Sequence, residues 1–268
     1  MPDPSLADQI SAAKGYEALL VPALFRQWAP RLISAATIQA GSSVLDVACG
    51  TGVFARAVAS VTGSSGRVVG LDLSEAMLAV ARVLAPSLQW HQGDADKLPF
   101  ADALFDAVVC QFGLMFFRNR NQALLEMWRV LCPGGRLVVA VWDSLDGIPA
   151  YAAEVALFER LAGNMAAEAL RAPFVLGSRR ELQKLAQVTG SNSIQISTEK
   201  GWARFPGVRQ MVEADARGWL PAMGVVLSEP VIEQLLEEAA QALDPYLEAQ
   251  EGAVFPVSAH ILSITKDD

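Results

Sequence analysis

The fold this chain predicts is α/β: a doubly wound, seven-stranded, mostly parallel sheet with N-terminal helices and a helical insertion between the last two strands. Three observations predict it. Short, continuous apolar runs alternate with helical patterns at the spacing of βαβ units. Turn signals such as Gly63-Ser64-Ser65-Gly66, Pro86 and Pro133-Gly134-Gly135 separate them. An acid near the end of the first run is followed by a turn with two glycines, in Val44-Leu45-Asp46-Val47-Ala48-Cys49-Gly50-Thr51-Gly52.

Residues 1–40 are expected to form a helical cover, because 6–40 is Ala-rich and amphipathic, with a break near Pro22. The core follows over 41–205. Run 44–47 leads to a helix over 53–61, 67–72 to a helix over 75–84, and 88–92 to a loop. Run 105–111 leads to a helix over 122–131, and 137–142 to a helix over 151–161. Runs that are apolar throughout belong to strands covered on both faces, and right-handed crossovers then put ligands beyond the carboxyl ends of those strands. A helix near 178–189 precedes a strand over about 194–204. Segment 206–250, with Trp219 and Tyr246, reads as two or three helices, either a lid over the crevice or packing for the sheet edge. Residues 251–268 return to the core as a final strand over 253–265.

Composition narrows the function. With 268 residues, 52% of them hydrophobic, the chain has material for an ample core. A formal net charge of −8 argues against binding nucleic acid or an anionic membrane surface, both of which need a cationic face. No run approaches the roughly 18 apolar residues of a membrane span, and Met1-Pro2-Asp3 lacks the basic start of a secretion signal, so a cytoplasmic protein is expected. Cys49, Cys110 and Cys132 form no CxxC pair and read as reduced thiols. No metal is expected, since no carboxylates or histidines cluster at ligand spacing. A small-molecule acceptor is the expected partner, and a homodimer is left open.

The turn admits two ligands. Gly50 and Gly52 would let backbone approach a polar ligand, and helix amides after 53 face the same crevice. Gly50-x-Gly52-x-x-Ala55 also fits a dinucleotide pattern, with Asp72 placed 20 residues past Gly52 to hold a ribose. Asp46 decides between them, because an acid beside an anionic pyrophosphate is unfavourable, whereas beside an amine and a sulfonium it is favourable.

These residues resemble the class I S-adenosylmethionine-dependent methyltransferases, in particular the group related to the ubiquinone/menaquinone C-methyltransferases. Five segments carry the resemblance in order. They are 44–55, Val68-Val69-Gly70-Leu71-Asp72-Leu73-Ser74, Gly93-Asp94-Ala95-Asp96-Lys97-Leu98-Pro99-Phe100, a segment over 105–115, and Trp128-Arg129-Val130-Leu131-Cys132-Pro133-Gly134-Gly135-Arg136-Leu137. The resemblance implies a Rossmann-like fold and S-adenosylmethionine as cofactor. It also implies that backbone at Ala48, Gly50 and Gly52 lines the methionine moiety and that Asp72 takes the ribose hydroxyls, as a carboxylate can. Leu73 and Met77 would flank the adenine, and Asp94 and the Ala95 amide would read its edge. Gln111 and Phe112 would border the methyl-transfer site, and Tyr16 would close over the cofactor.

Candidate acceptor-pocket residues are Phe112, Met115, Phe116, Trp142, Tyr151, Phe174 and Arg204, an apolar set with one cation that suits a hydrophobic or aromatic molecule. His91 and His260 read as strand residues, and no catalytic base is identified. Phe25 and Trp28 read as helix packing. Phe117-Arg118-Asn119-Arg120 and Thr189-Gly190-Ser191 depart from the family pattern near the acceptor or the sheet edge, so specificity for a quinone precursor is not carried over. A nicotinamide-dependent oxidoreductase and a non-catalytic cofactor-binding protein are the alternatives.

Overall fold

A computed structural model describes residues 5–248 and 252–267. The expected boundary at 250/251 and the start at Met1-Pro2-Asp3 lie outside the described residues. Helices α1 (Leu6–Gly15) and α2 (Ala29–Ala35) are joined by a π-helical segment, Tyr16–Phe25, and a tight turn, Arg26–Trp28. Next come β1 (Ser43–Val47), α3 (Val53–Thr62), β2 (Arg67–Asp72), α4 (Glu75–Leu84), β3 (Gln89–Gln92), β4 (Phe105–Gln111), α5 (Arg120–Val130) and β5 (Leu131–Trp142). Helices α6 (Pro149–Ala162), α7 (Asn164–Arg171) and α8 (Arg179–Ala186) lead to β6 (Ile194–Phe205). Helix α9 (Val208–Ala214), a second π-helical segment (Asp215–Trp219) and α10 (Glu229–Leu243) separate β6 from β7 (Ala253–Thr265).

The seven strands form one sheet in the order β3-β2-β1-β4-β5-β7-β6. The first five run parallel, and β7 is antiparallel to both β5 and β6. Burial explains the composition of the central strands: Val44, Leu45, Val108, Val109 and the run Leu137–Val141 are fully enclosed, as two-sided helix cover requires. The sheet's winding reverses between β1 and β4. Ligand crevices in such sheets open at this point, beyond the strand carboxyl ends.

Two expectations need correcting. The N-terminal helix does not break at Pro22 but runs through it as a π-helical segment. Proline supplies no amide hydrogen, and the wider helical turn accommodates the lost bond without ending the helix. A helix was also missed, because Gly163 (φ 87°) ends α6 and α7 starts at the next residue, burying Ala166, Ala167 and Leu170. Pro256 is tolerated inside β7 because it pairs only with β6 there, and the pairing with β5 begins at Ala259.

Candidate functional site

The candidate site is built on the carboxyl ends of β1, β2 and β4. Beyond β1 the chain turns through Ala48 (φ 56°), Gly50 (φ 56°) and Gly52 (φ 84°), and beyond β4 it turns through Phe112 (φ 57°). Left-handed backbone at Ala48 and Phe112 costs of order 1–3 kcal/mol each and gathers at functional sites. The two turns also touch. A Cβ added at Gly113 would lie 2.5 Å from that of Ala48.

Carboxylates hold this turn. Asp72 accepts from the Gly50 amide through Oδ2 and from the Ser74 amide through Oδ1, both at 2.8 Å. Asp46 is buried, and its Oδ2 accepts from the Ala55 amide in the first turn of α3 at 3.0 Å, while its Oδ1 has no partner. Burial raises both carboxyls above the usual carboxylate range, opposed by the amides and, for Asp46, reinforced by the charge of Asp72. The Oε1 of Gln111, at the end of β4, is likewise buried without a partner, and its Nε2 reaches the Phe25 carbonyl at 3.4 Å. Two orphaned acceptors and two acids beside one turn are complementary to a ligand that brings hydrogen-bond donors and positive charge.

Tyr16 lies over the turn, with its ring edge 4.0 Å from where a Gly50 side chain would begin. Burial, and then the charges of Asp72, Glu17 and Asp46, push its phenol above the usual value. Gly52 also has a packing part. A Cβ there would meet the Trp90 indole at 2.3 Å, and one at Gly70 would meet it at 2.4 Å. Gly52 therefore makes room for a tryptophan behind the turn, while Gly50 faces the crevice.

On the β2–β3 side, Leu73 is 67% exposed and Met77 is half-buried, whereas Ala76, Leu78, Val80 and Ala81 fill the core face of α4. Met77 is thus free of the core packing that would otherwise explain it. Asp94 is exposed and accepts the Asp96 amide at 3.0 Å beside buried Ala95, and the Gly93 amide bonds the Asp72 carbonyl, so the third motif returns next to the second.

An aromatic wall closes the β4–β5 side. Phe112 stacks on Trp142 at 4.1 Å, and Phe25 contacts Tyr16, Phe112 and Trp142 with centroids 5.4–6.0 Å away. Trp28 meets Phe112 and Trp142 edge-on. Phe25 and Trp28, read as helix packing, pack against this wall, Trp28 being fully buried. Met115 is buried, Phe116 is 45% exposed and touches Trp219 of the insertion, and Tyr151 and Phe174 pair with each other. Arg204 does not belong with them. Strand alternation buries Ala203 and Phe205 and turns Arg204 outward, where its guanidinium lies 5.6 Å over exposed Trp202.

His260 holds elements together. Its ring bonds the Thr198 hydroxyl, the Gly177 carbonyl and, at 3.2 Å, Asp143. His91 lies exposed on β3. Sequence reasoning missed Glu17, which binds both Thr51 and Arg56; the available signal was a lone arginine in an otherwise apolar helical run. It also missed buried Glu154 and its half-buried neighbour Asp215, which only tertiary structure brings together. Cys49, Cys110 and Cys132 are free thiols. Among the described residues no helix is long and apolar enough to cross a membrane, and no group of three or more His, Cys, Asp or Glu is placed to hold a metal ion.

Residues 45–139 match the methyltransferase domain family, and the sheet order is that of a Rossmann-like fold. The chain is similar to the ubiquinone/menaquinone biosynthesis C-methyltransferase UbiE of Burkholderia mallei, with 40% identity over 149 residues. That match spans 50% of this chain and 60% of the relative. The fold is similar to that of the YcgJ protein from Bacillus subtilis, with a TM-score of 0.60, 19% identity, and coverage of 90% of this chain and 99% of that one. It is also similar to phosphoethanolamine N-methyltransferase 2 of Haemonchus contortus, solved with phosphomonomethylethanolamine and S-adenosylhomocysteine. There the TM-score is 0.56 with 17% identity, covering 90% of this chain and 53% of that one.

Proposed function

We propose that the chain binds S-adenosylmethionine at the β1–β2–β4 ends and directs methyl transfer to a small, hydrophobic or aromatic organic acceptor. The observation that carries this reading is the pairing of Asp72 with the Gly50 amide above two orphaned acceptors, Asp46 Oδ1 and Gln111 Oε1. Asp72 retains acceptor capacity for two ribose hydroxyls. Asp94 and Ala95 would read the adenine edge between Leu73 and Met77, and Ala48, Gly50, Asp46 and Gln111 would take the methionine end under Tyr16. When bound, the cofactor supplies an electrophilic methyl group on a sulfonium. The chain's own task is then to align a nucleophile and keep water out, which the wall of Phe112, Trp142 and Phe25 is built to do. Met115, Phe116, Tyr151 and Phe174 extend that wall toward the insertion, which acts as the acceptor-side cover.

A nicotinamide dinucleotide fits less well, because Asp46 would stand beside its pyrophosphate. Calorimetric titration distinguishes the two: S-adenosylhomocysteine should bind and NADH should not. Asp72→Asn should weaken S-adenosylhomocysteine binding by about 1.5–3 kcal/mol, the worth of hydrogen bonds to a charged group. Equal affinity in a folded variant would remove Asp72 from the site. Release of S-adenosylhomocysteine from S-adenosylmethionine, assayed with phenol, amine and activated-carbon acceptors, tests catalysis. No turnover with any member of a broad panel would favour a binding protein without transfer activity.

A further inference from the structure

Glu17, Thr51 and Arg56 form a closed ring that joins the N-terminal cover to the glycine turn. The Thr51 hydroxyl donates to Glu17 Oε2 at 2.5 Å, Arg56 Nη2 donates to Glu17 Oε1 at 2.6 Å, and Arg56 Nη1 donates to the Thr51 carbonyl at 2.8 Å. Thr51 is buried between Gly50 and Gly52, and the Glu17 and Arg56 side chains are only 17% and 23% exposed, so the pair is shielded from solvent screening. Glu17 follows Tyr16 directly. Fixing its carboxylate on Thr51 therefore fixes where the Tyr16 ring sits over Gly50, and Phe25, at the far end of the same π-helical segment, lies against Tyr16, Phe112 and Trp142. This segment therefore lies over Gly50 at the end of β1, where a nucleoside-sized ligand would enter on the reading above.

We propose that Glu17 is a positioning residue, a clasp whose opening sets the rate at which cofactor enters and product nucleoside leaves. This rests on the S-adenosylmethionine reading above. Because the clasp contacts the turn and not the crevice, it favours the closed cover whether or not ligand is present. Its removal should speed both directions of exchange and leave equilibrium affinity nearly unchanged. A residue that merely stabilised the fold would lower the melting temperature without this paired kinetic change.

The test is stopped-flow measurement of S-adenosylhomocysteine association and dissociation by intrinsic tryptophan fluorescence, with hydrogen exchange on the ligand-free protein. In Glu17→Ala, both rate constants should rise about tenfold or more with less than a threefold change in Kd, the scale expected for loss of charge-assisted bonds. Exchange should quicken in peptides over 16–25 and 49–52 and not in β4 or β5. Glu17→Gln, which keeps an acceptor for Thr51 but loses the charge, should lie between wild type and alanine, and it serves if the alanine variant does not fold. The doubly substituted Glu17→Arg/Arg56→Glu protein should recover part of the slow exchange. Wild-type binding with unchanged rates and unchanged exchange in both Glu17 variants would overturn the clasp alone. Failure of the wild-type protein to bind S-adenosylhomocysteine would overturn the clasp together with the cofactor reading.

Discussion

At the scale of single residues, the glycine turn shows how one motif serves two demands. Gly50 faces the crevice under Tyr16, whereas Gly52 and Gly70 are bare because the Trp90 indole, tethered by its Nε1 to the Ala85 carbonyl, occupies their Cβ space. Gly52→Ala should therefore destabilise the fold by about 1–3 kcal/mol through overpacking, added to the strain of a side chain at φ 84°. Combined with Trp90→Leu, the loss should be smaller than the sum of the single losses by about 1 kcal/mol, as for residues in contact. Thermal melts of the four proteins check this; strict additivity would return Gly52 to a purely ligand-facing role. The motif itself was legible, because strand, acid and glycines are contiguous. Trp90 behind it was not, since a tryptophan 38 residues downstream has no local signature that names its contact.

At the scale of elements, strands were more legible than helices. Runs such as 105–111 are mostly apolar and bounded by turn residues, so that strand's ends were recognisable, whereas β5 starts at Leu131 and not at the expected 137. The π-helical segment hid its continuity behind Pro22, and α7 hid behind Gly163. Edge protection was equally invisible, because it comes from side chains far away in sequence. The outer edge of β6 is covered by Gln27, whose amide accepts from the Trp202 amide at 2.8 Å and donates to its carbonyl at 2.6 Å. Arg31 and Arg179 cap the Lys200 and Ile196 carbonyls in the same way. An uncovered edge invites pairing with another chain. Gln27→Ala should cost about 1 kcal/mol for each lost bond and increase self-association. Differential scanning and light scattering at matched concentration measure both effects, and an unchanged melting temperature with unchanged mass would show that the edge needs no such cover.

At the scale of the whole molecule, the dominant electrostatic fact is buried acid without a cation to match it. Glu154 on α6 is wholly buried, no donor reaches either of its oxygens, and its neighbour across the packing to the insertion is Asp215. Burial, and then the charge of Asp215, raises the Glu154 carboxyl well above its usual range, and burial pushes Asp215 up to about 7. Tyr151, one helical turn before Glu154, is raised by burial and by both acids. Asp46 and Asp72 shift the same way. Each of these groups binds its proton more tightly when folded than when unfolded, where Asp and Glu titrate near 4. The native state thus holds more protons, and its stability is full below about pH 4 and lost as pH rises through the folded values. Arginine partners lower Glu75, Glu126 and Glu229, and Gln234 followed by Arg160 lowers Glu238, which gives the opposite slope, but these groups lie at or near the surface and count for little. The melting temperature should therefore fall between about pH 5 and pH 8, whereas a protein dominated by salt-bridged carboxylates would gain stability over that range. Glu154→Gln keeps the size of the side chain while removing one ionisable group. It should raise the melting temperature at pH 8 by a few degrees, about 2–4 °C for each kcal/mol in a domain of this size, and flatten the slope. A melting temperature that climbs with pH, or a Glu154→Gln slope equal to wild type, would mean that the α6–insertion contact carries no proton.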